Sequence, residues 1–168
     1  MDAIVCGIDP GLGATGYGVL RIGDGAIVVV DAGVCRQDPK RPLAQRLQTL
    51  GRDVAAILDE FKPVVVAVEE LYSHYNHPRT AVLMGHARGV ILSTVADRRI
   101  DVRGYSATRI KKHLTGNGRA AKEQVQAAVR EALGLTDLPE PPDLADALAI
   151  ALCCAGEIMH RPLQEAVR

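Results

Sequence analysis

The chain has 168 residues, enough for one domain with a real core and too few for a second of normal size. Lys plus Arg and Asp plus Glu each number 20, so the formal net charge is zero, and 48% of residues are hydrophobic, which argues against a disordered or low-complexity chain. No apolar run is long enough to span a bilayer, and the start lacks the charged region and cleavage site of an export signal, so the protein is expected to be cytoplasmic and without a membrane partner.

In chain order, residues 3–9 form a mostly apolar run ending at the turn Asp9-Pro10-Gly11, which predicts a first strand. Strands over 16–22 and 26–34 follow, joined by the hairpin turn Gly23-Asp24-Gly25. Leu43, Leu47, Leu50, Val54, Ile57 and Leu58 recur at helical spacing behind Pro42, predicting a long helix. Pro63 punctuates, and the β-branched run over 64–68 predicts a buried strand. A helix over about 78–96, a strand near 100–105, and helices near 107–114 and 120–133 follow, the last two flanking Gly116-Asn117-Gly118. Pro139, Pro141 and Pro142 interrupt the chain before a final helix over 143–159. The order predicts an α/β fold with a mixed five-stranded central sheet flanked by helices, residues 1–168 forming one domain. Cys6, Cys35, Cys153 and Cys154 have neither zinc-ligand spacing nor a secreted disulfide pattern, and are read as small buried hydrophobes.

The charge is unevenly distributed. Arg98, Arg99, Arg103, Arg109, Lys111, Lys112, Arg119 and Lys122 face only Asp101 within their segment, whereas Asp137, Glu140, Asp143, Asp146 and Glu157 follow with no Lys or Arg among them. Cations for phosphates beside carboxylates for a metal are what a metal-using nuclease requires.

Carboxylates stand at three element ends. Asp9 closes the first strand, Glu69 and Glu70 follow the fourth, and Asp143 and Asp146 share one face near the start of the last helix. Crowded carboxylates repel unless a cation neutralises them, and four match the charge of two Mg²⁺ ions, which favour oxygen ligands. Two such ions about 4 Å apart activate a water and stabilise a leaving oxygen in phosphodiester hydrolysis. Each acid also has a structural reading: Asp9 as a turn residue, Asp143 as an N-cap, Asp146 as a first-turn acid on the helix dipole. Alternation along a strand sends Glu69 and Glu70 to opposite faces, so at most one belongs to the cluster.

Ile8-Asp9-Pro10-Gly11 with Thr15-Gly16-Tyr17-Gly18 resembles the opening motif of the RuvC family of Holliday-junction resolvases. Ala67-Val68-Glu69-Glu70, the run from Gly85 to Val90, the run from Ala120 to Val125, and Asp143-Leu144-Ala145-Asp146-Ala147-Leu148 are similar to later family segments, in order. The resemblance covers about residues 3–158. It implies a ribonuclease H-like fold and a crossover junction endodeoxyribonuclease that nicks two strands of like polarity symmetrically, leaving 5′-phosphate and 3′-hydroxyl ends. It implies Asp9, Glu69, Asp143 and Asp146 as metal-binding catalytic acids, selecting Glu69 over Glu70, with two Mg²⁺ per subunit and Mn²⁺ as a substitute. Lys111 and Lys122 are implied near the scissile phosphate, and Tyr72 and Tyr75 fall where the family carries a base-stacking aromatic. Arg79, Arg109, Lys112 and Arg119 are expected as further DNA contacts. The implied partners are four-way junction DNA, a second copy of the chain, and the RuvA–RuvB branch-migration complex.

Three rivals compete. Sugar kinases and actin-like ATPases carry a similar Asp-Pro-Gly loop but need two such domains to enclose a nucleotide. The small YqgF-like nucleases share the fold, yet the Asp143/Asp146 pair and the long basic segment favour RuvC. A non-catalytic junction-binding module would be indicated by loss of an acid, and all four are present. The helix over 78–96 is apolar on nearly every side, and Gly85 and Gly89 would admit another backbone, which supports the homodimer.

Overall fold

The structure is a computed structural model, and it describes residues 2–71 and 78–165. Its elements run β1 (Ala3–Asp9), β2 (Ala14–Gly23), β3 (Ala26–Arg36), α1 (Leu43–Phe61), β4 (Val65–Glu69), α2 (Pro78–Asp97), β5 (Asp101–Tyr105), α3 (Ala107–Thr115), α4 (Lys122–Leu133) and α5 (Pro142–Glu165). The expected order holds throughout. The strands form one mixed sheet in the order β3-β2-β1-β4-β5, with β1 antiparallel to β2, β2 antiparallel to β3, and β1, β4 and β5 mutually parallel. Antiparallel hairpins need only short turns, whereas α1 returns the chain from β3 to β4 beside β1, and α2 bridges β4 to the parallel β5.

Alternation along the strands divides the core. Cys6 and Ile8 of β1 join Leu50, Val54 and Leu58 of α1 and Ala87, Ile91 and Val95 of α2 on one face. Val5 joins Tyr105, Ile110, Val125, Val129 and the α5 residues on the other. From Ala147 to Ala155 every α5 residue is buried, since the sheet covers one side and α3 and α4 the other. All four cysteines are buried and free, as their sequence context predicts.

The differences lie at element ends. β2 and β3 extend beyond their expected limits because Ala14 still pairs with Arg36 and Thr15 with Cys35. Val64, expected in β4, lies just outside it and is 59% exposed. Helix α4 begins at Lys122 rather than residue 120: Ala120 closes a turn onto the Asn117 carbonyl, and the Gln124 side chain accepts the Ala121 N–H at 2.9 Å. Helix α5 begins at Pro142, whose missing N–H costs nothing in a first turn, and the Pro141 carbonyl accepts the Leu144 N–H at 3.0 Å. Asp143 therefore sits inside the first turn and is not the N-cap. No helix among the described residues is long and apolar enough to cross a membrane.

Candidate metal centre and nucleic-acid cleft

Helix α5 reaches the sheet because glycine lines its path. A Cβ on Gly7 would lie 2.4 Å from the Ala147 carbonyl oxygen, and one on Gly16 only 1.9 Å from the carbonyl oxygen of Asp143. Gly16 is the register partner of Asp9 across the β1–β2 pair. The close approach thus sets the first turn of α5, with Asp143 and Asp146, beside the end of β1. Strand β4 runs parallel to β1 with Val68 beside Ile8, so Glu69 emerges at the same edge as Asp9.

The electrostatics record this convergence. Burial, and then the carboxylates of Glu69, Asp146 and Asp143, push the Asp9 carboxyl up to about 8. Burial and then Asp146 also raise Glu69, while a hydrogen bond from Asp9 and the charges of Lys111 and Lys122 work in the opposite direction. Asp9 and Glu69 thus lie against one another, and burial is the first cause that raises each. Lys122 Nζ donates to Asp146 Oδ2 at 3.0 Å, and this bond, with the charges of Asp146, Asp9 and Asp143, holds the ammonium protonated. Among the described residues, no three His, Cys, Asp or Glu side chains are gathered tightly enough to hold an ion as they stand. The donor set nonetheless suits a hard divalent cation: four carboxylates converging at one edge of the sheet.

Beside the acids opens a cleft of about 260 Å³ lined by Glu69, Lys111, Lys122 and Asp146, with Ala107, Ile110, Val125, Ala149 and Ile150 forming its apolar wall. Glu70 is directed elsewhere: its side chain covers Gly104 of β5, where a Cβ would lie 2.6 Å from Glu70 Oε1. The alternation argument allowed one of the two glutamates, and Glu69 is the one beside the other acids.

The remaining expected residues divide. Lys112 and Arg119 are exposed on α3 and on the loop after it, and Arg79 is exposed in the first turn of α2. Arg109 stacks over the Tyr105 ring at 4.8 Å and pairs with Glu157, which also accepts the Tyr105 hydroxyl at 2.9 Å. Tyr72 and Tyr75 lie outside the described residues. Arg98, the first cation of the basic segment, forms a two-pronged pair with Asp59 at 2.6 and 2.8 Å. That pair ties α2 to α1 at the opposite end of the sheet from the acids.

Two residues of the quoted motif segments have supporting roles that the sequence alone did not assign. Arg88 of α2 donates through Nε to the Glu69 carbonyl at 3.1 Å and braces the end of β4. Thr15, only 1% exposed, hydrogen-bonds with its hydroxyl to both the N–H and the carbonyl of Gly11, holding the loop that follows Asp9. No sequence periodicity marks either one.

Comparison with known proteins places this arrangement. A crossover junction endodeoxyribonuclease RuvC from Rhodopirellula baltica is 42% identical over 97% of this chain and 91% of its own length. One from Heliobacterium modesticaldum is 41% identical over 92% and 95%. The structure of Thermus thermophilus RuvC in complex with a Holliday junction substrate superposes with a TM-score of 0.87 at 36% identity, covering 94% of this chain and 95% of that one. The yeast mitochondrial Holliday junction resolvase shares the fold, with a TM-score of 0.64 at 14% identity, over 98% of this chain and 86% of its own. The family model for crossover junction endodeoxyribonuclease RuvC matches residues 5–154. Matched by that model and by relatives above 40% identity along nine-tenths or more of its length, the chain belongs to the RuvC family.

Proposed function

We propose that this protein resolves four-way DNA junctions by metal-dependent hydrolysis of two strands of like polarity, leaving 5′-phosphate and 3′-hydroxyl ends. The observation that carries the reading is the meeting at one sheet edge of Asp9 from β1, Glu69 from β4, and Asp143 and Asp146 from the first turn of α5, a crowding that pushes the Asp9 carboxyl up to about 8. Such a cluster is costly unless a cation neutralises it.

Asp9, Glu69, Asp143 and Asp146 would hold two Mg²⁺ ions, with Mn²⁺ as a substitute, since both favour carboxylate oxygens. Bound there, the metal supplies water activation and stabilisation of the leaving oxygen. The other work falls to the protein. Lys122, bonded to Asp146 Oδ2, holds its ammonium in the cleft beside the acids and leaves Asp146 Oδ1 for the metal. Lys122 and Lys111 then face a phosphate lying over the acids, where a fixed cation is worth most as charge develops. The apolar wall from Ile110, Val125 and Ile150 limits water on that side. Lys112, Arg119 and Arg79 serve as outer phosphate contacts, and Tyr72 or Tyr75 as the stacking aromatic. Arg109 joins them only if strand phosphates draw it from Glu157.

The working unit is a homodimer built on α2, the whole chain acting as one nuclease domain. In one chain α2 buries Ala87, Ile91 and Val95, while its opposite face exposes Val82 (59%), Gly85 and Gly89. Nothing within 4 Å would meet a Cβ at either glycine, so a second copy has room to approach. A two-fold partner would set two acid clusters against the two strands to be cut. Family resemblance extends the proposal to RuvA–RuvB as partners and to the cytoplasm as the place of action.

The test is incubation with a synthetic four-way junction and a matched linear duplex, with and without Mg²⁺. Paired nicks in the junction alone, dependent on the metal, are expected. Equal cleavage of the linear duplex, or cleavage in chelator, contradicts the reading.

A further inference from the structure

A second cleft, of about 280 Å³, is lined by Arg36, Gln37, Asp38, Arg41, Arg46 and Thr49. Three guanidinium groups thus face one carboxylate, and Asp38 is already committed, its Oδ1 accepting the Lys40 N–H at 2.9 Å. Arg36 and Arg41 are exposed, whereas Arg46 is partly buried against the loop between β1 and β2, with Nη2 at 3.5 Å from the Leu12 carbonyl. Its Nε is buried and has no hydrogen-bond partner among the described residues.

The position of this cleft is informative. It is fastened to the loop that starts at Asp9: Gln37 N–H donates to the Gly13 carbonyl at 3.1 Å, and Arg36 pairs in register with Ala14. Strand β3 is two strands from β1, about 10 Å across the sheet at about 4.8 Å per strand. A strand laid across β1, β2 and β3 would carry a nearby backbone phosphate to the cleft.

We propose that Arg36, Arg41 and Arg46 form a subsite for a backbone phosphate of the DNA strand, a few nucleotides from the phosphodiester presented to the acid cluster. The planar guanidinium fork matches phosphate oxygens two at a time, and three such groups gathered in one cleft suit a single phosphate. The subsite carries no sequence information and fixes the register of the strand over the acids. It rests on the nuclease reading above.

The experiment is a salt titration of junction binding, in chelator so that nothing is cut, by the wild type and the Arg36→Gln/Arg41→Gln double variant. Both positions are exposed, and a melting curve checks that the double variant folds. Its affinity should be lower at every salt concentration, and the slope of log affinity against log salt shallower by about 0.9, the value of one phosphate contact. Arg46→Lys keeps the charge but loses the planar fork, and should weaken binding with the slope unchanged. A double variant with wild-type affinity and slope overturns the subsite, while junction cutting by the wild type would leave the nuclease reading standing. A wild type that neither binds nor cuts junctions overturns both. Inorganic phosphate separates the two sources of the anion. If phosphate alone raises the melting temperature of the wild type but not of the double variant, and the junction slope does not move, the cleft is a small-anion site and the strand assignment is wrong.

Discussion

Lys122 Nζ lies 3.0 Å from Asp146 Oδ2, so a cation of the protein already sits on one of the acids assigned to the metal. Both side chains are partly exposed, and such a pair is worth no more than about 1 kcal/mol. Lys122→Ala should therefore tighten Mg²⁺ binding in the absence of DNA by up to about fivefold. The same variant should lower the single-turnover cleavage rate, because the charge over the phosphate is gone. Calorimetric metal titration and single-turnover kinetics at saturating protein check the two halves. An unchanged cleavage rate removes Lys122 from the site.

Gly16 tests how α5 reaches the sheet. A methyl group there would collide with backbone at the Asp143 carbonyl, which no side-chain rotation relieves. Gly16→Ala should destabilise the fold by about 1–3 kcal/mol. At about 2–4 °C per kcal/mol for a chain of this length, melting should fall by roughly 2–12 °C. Cleavage should fall further than the loss of folded protein explains, since the first turn of α5 is displaced from Asp9. Wild-type melting and wild-type cleavage together would disprove the close approach.

The raised Asp9 carboxyl predicts a pH dependence of the metal-free protein. A group whose folded value lies above its unfolded value contributes stability that is fully present below the unfolded value and lost as pH rises through the folded one. With Asp9 pushed up from 3.8 to about 8, that contribution declines across the interval between those values. Metal-free protein should melt lower at pH 8 than at pH 5, the slope should flatten in Asp9→Asn, and Mg²⁺ should restore more stability at pH 8. An equal slope in Asp9→Asn would assign the effect to other groups.

The exposed face of α2 predicts self-association. Gly89→Glu should convert a dimeric light-scattering mass to a monomeric one at micromolar protein, with the melting curve largely kept because position 89 is open in the single chain. Paired, symmetric nicks made by a monomeric wild type would sink the dimer while leaving the acid cluster intact.

Most of the fold was legible because each element carries its own period: the β-branched run before Glu69, the leucine spacing of α1, the glycine turn between β2 and β3. The ends were less legible, since they depend on partners distant in sequence. Strand β2 begins at Ala14 because Arg36 is there to pair with it, and α4 begins at Lys122 because Asn117 and Gln124 occupy the residues before it. The four acids could be picked out at element ends, but choosing Glu69 over Glu70 required either the family resemblance or the side chain of Glu70 lying over Gly104. The cleft of Arg36, Arg41 and Arg46 was invisible because its arginines come from a strand end, a loop and a helix, with no shared spacing.

The most direct measurement of the central claim is single-turnover cleavage of a four-way junction in Mg²⁺ by Asp9→Asn, Glu69→Gln, Asp143→Asn and Asp146→Asn, with junction affinity measured beside each rate. Every one of the four should lose cleavage and largely keep binding, because binding rests on the basic surface and cleavage on the acids. Glu70→Gln should cut at close to the wild-type rate. Retained cleavage in any of the four, or a dead Glu70→Gln beside an active Glu69→Gln, would contradict the account.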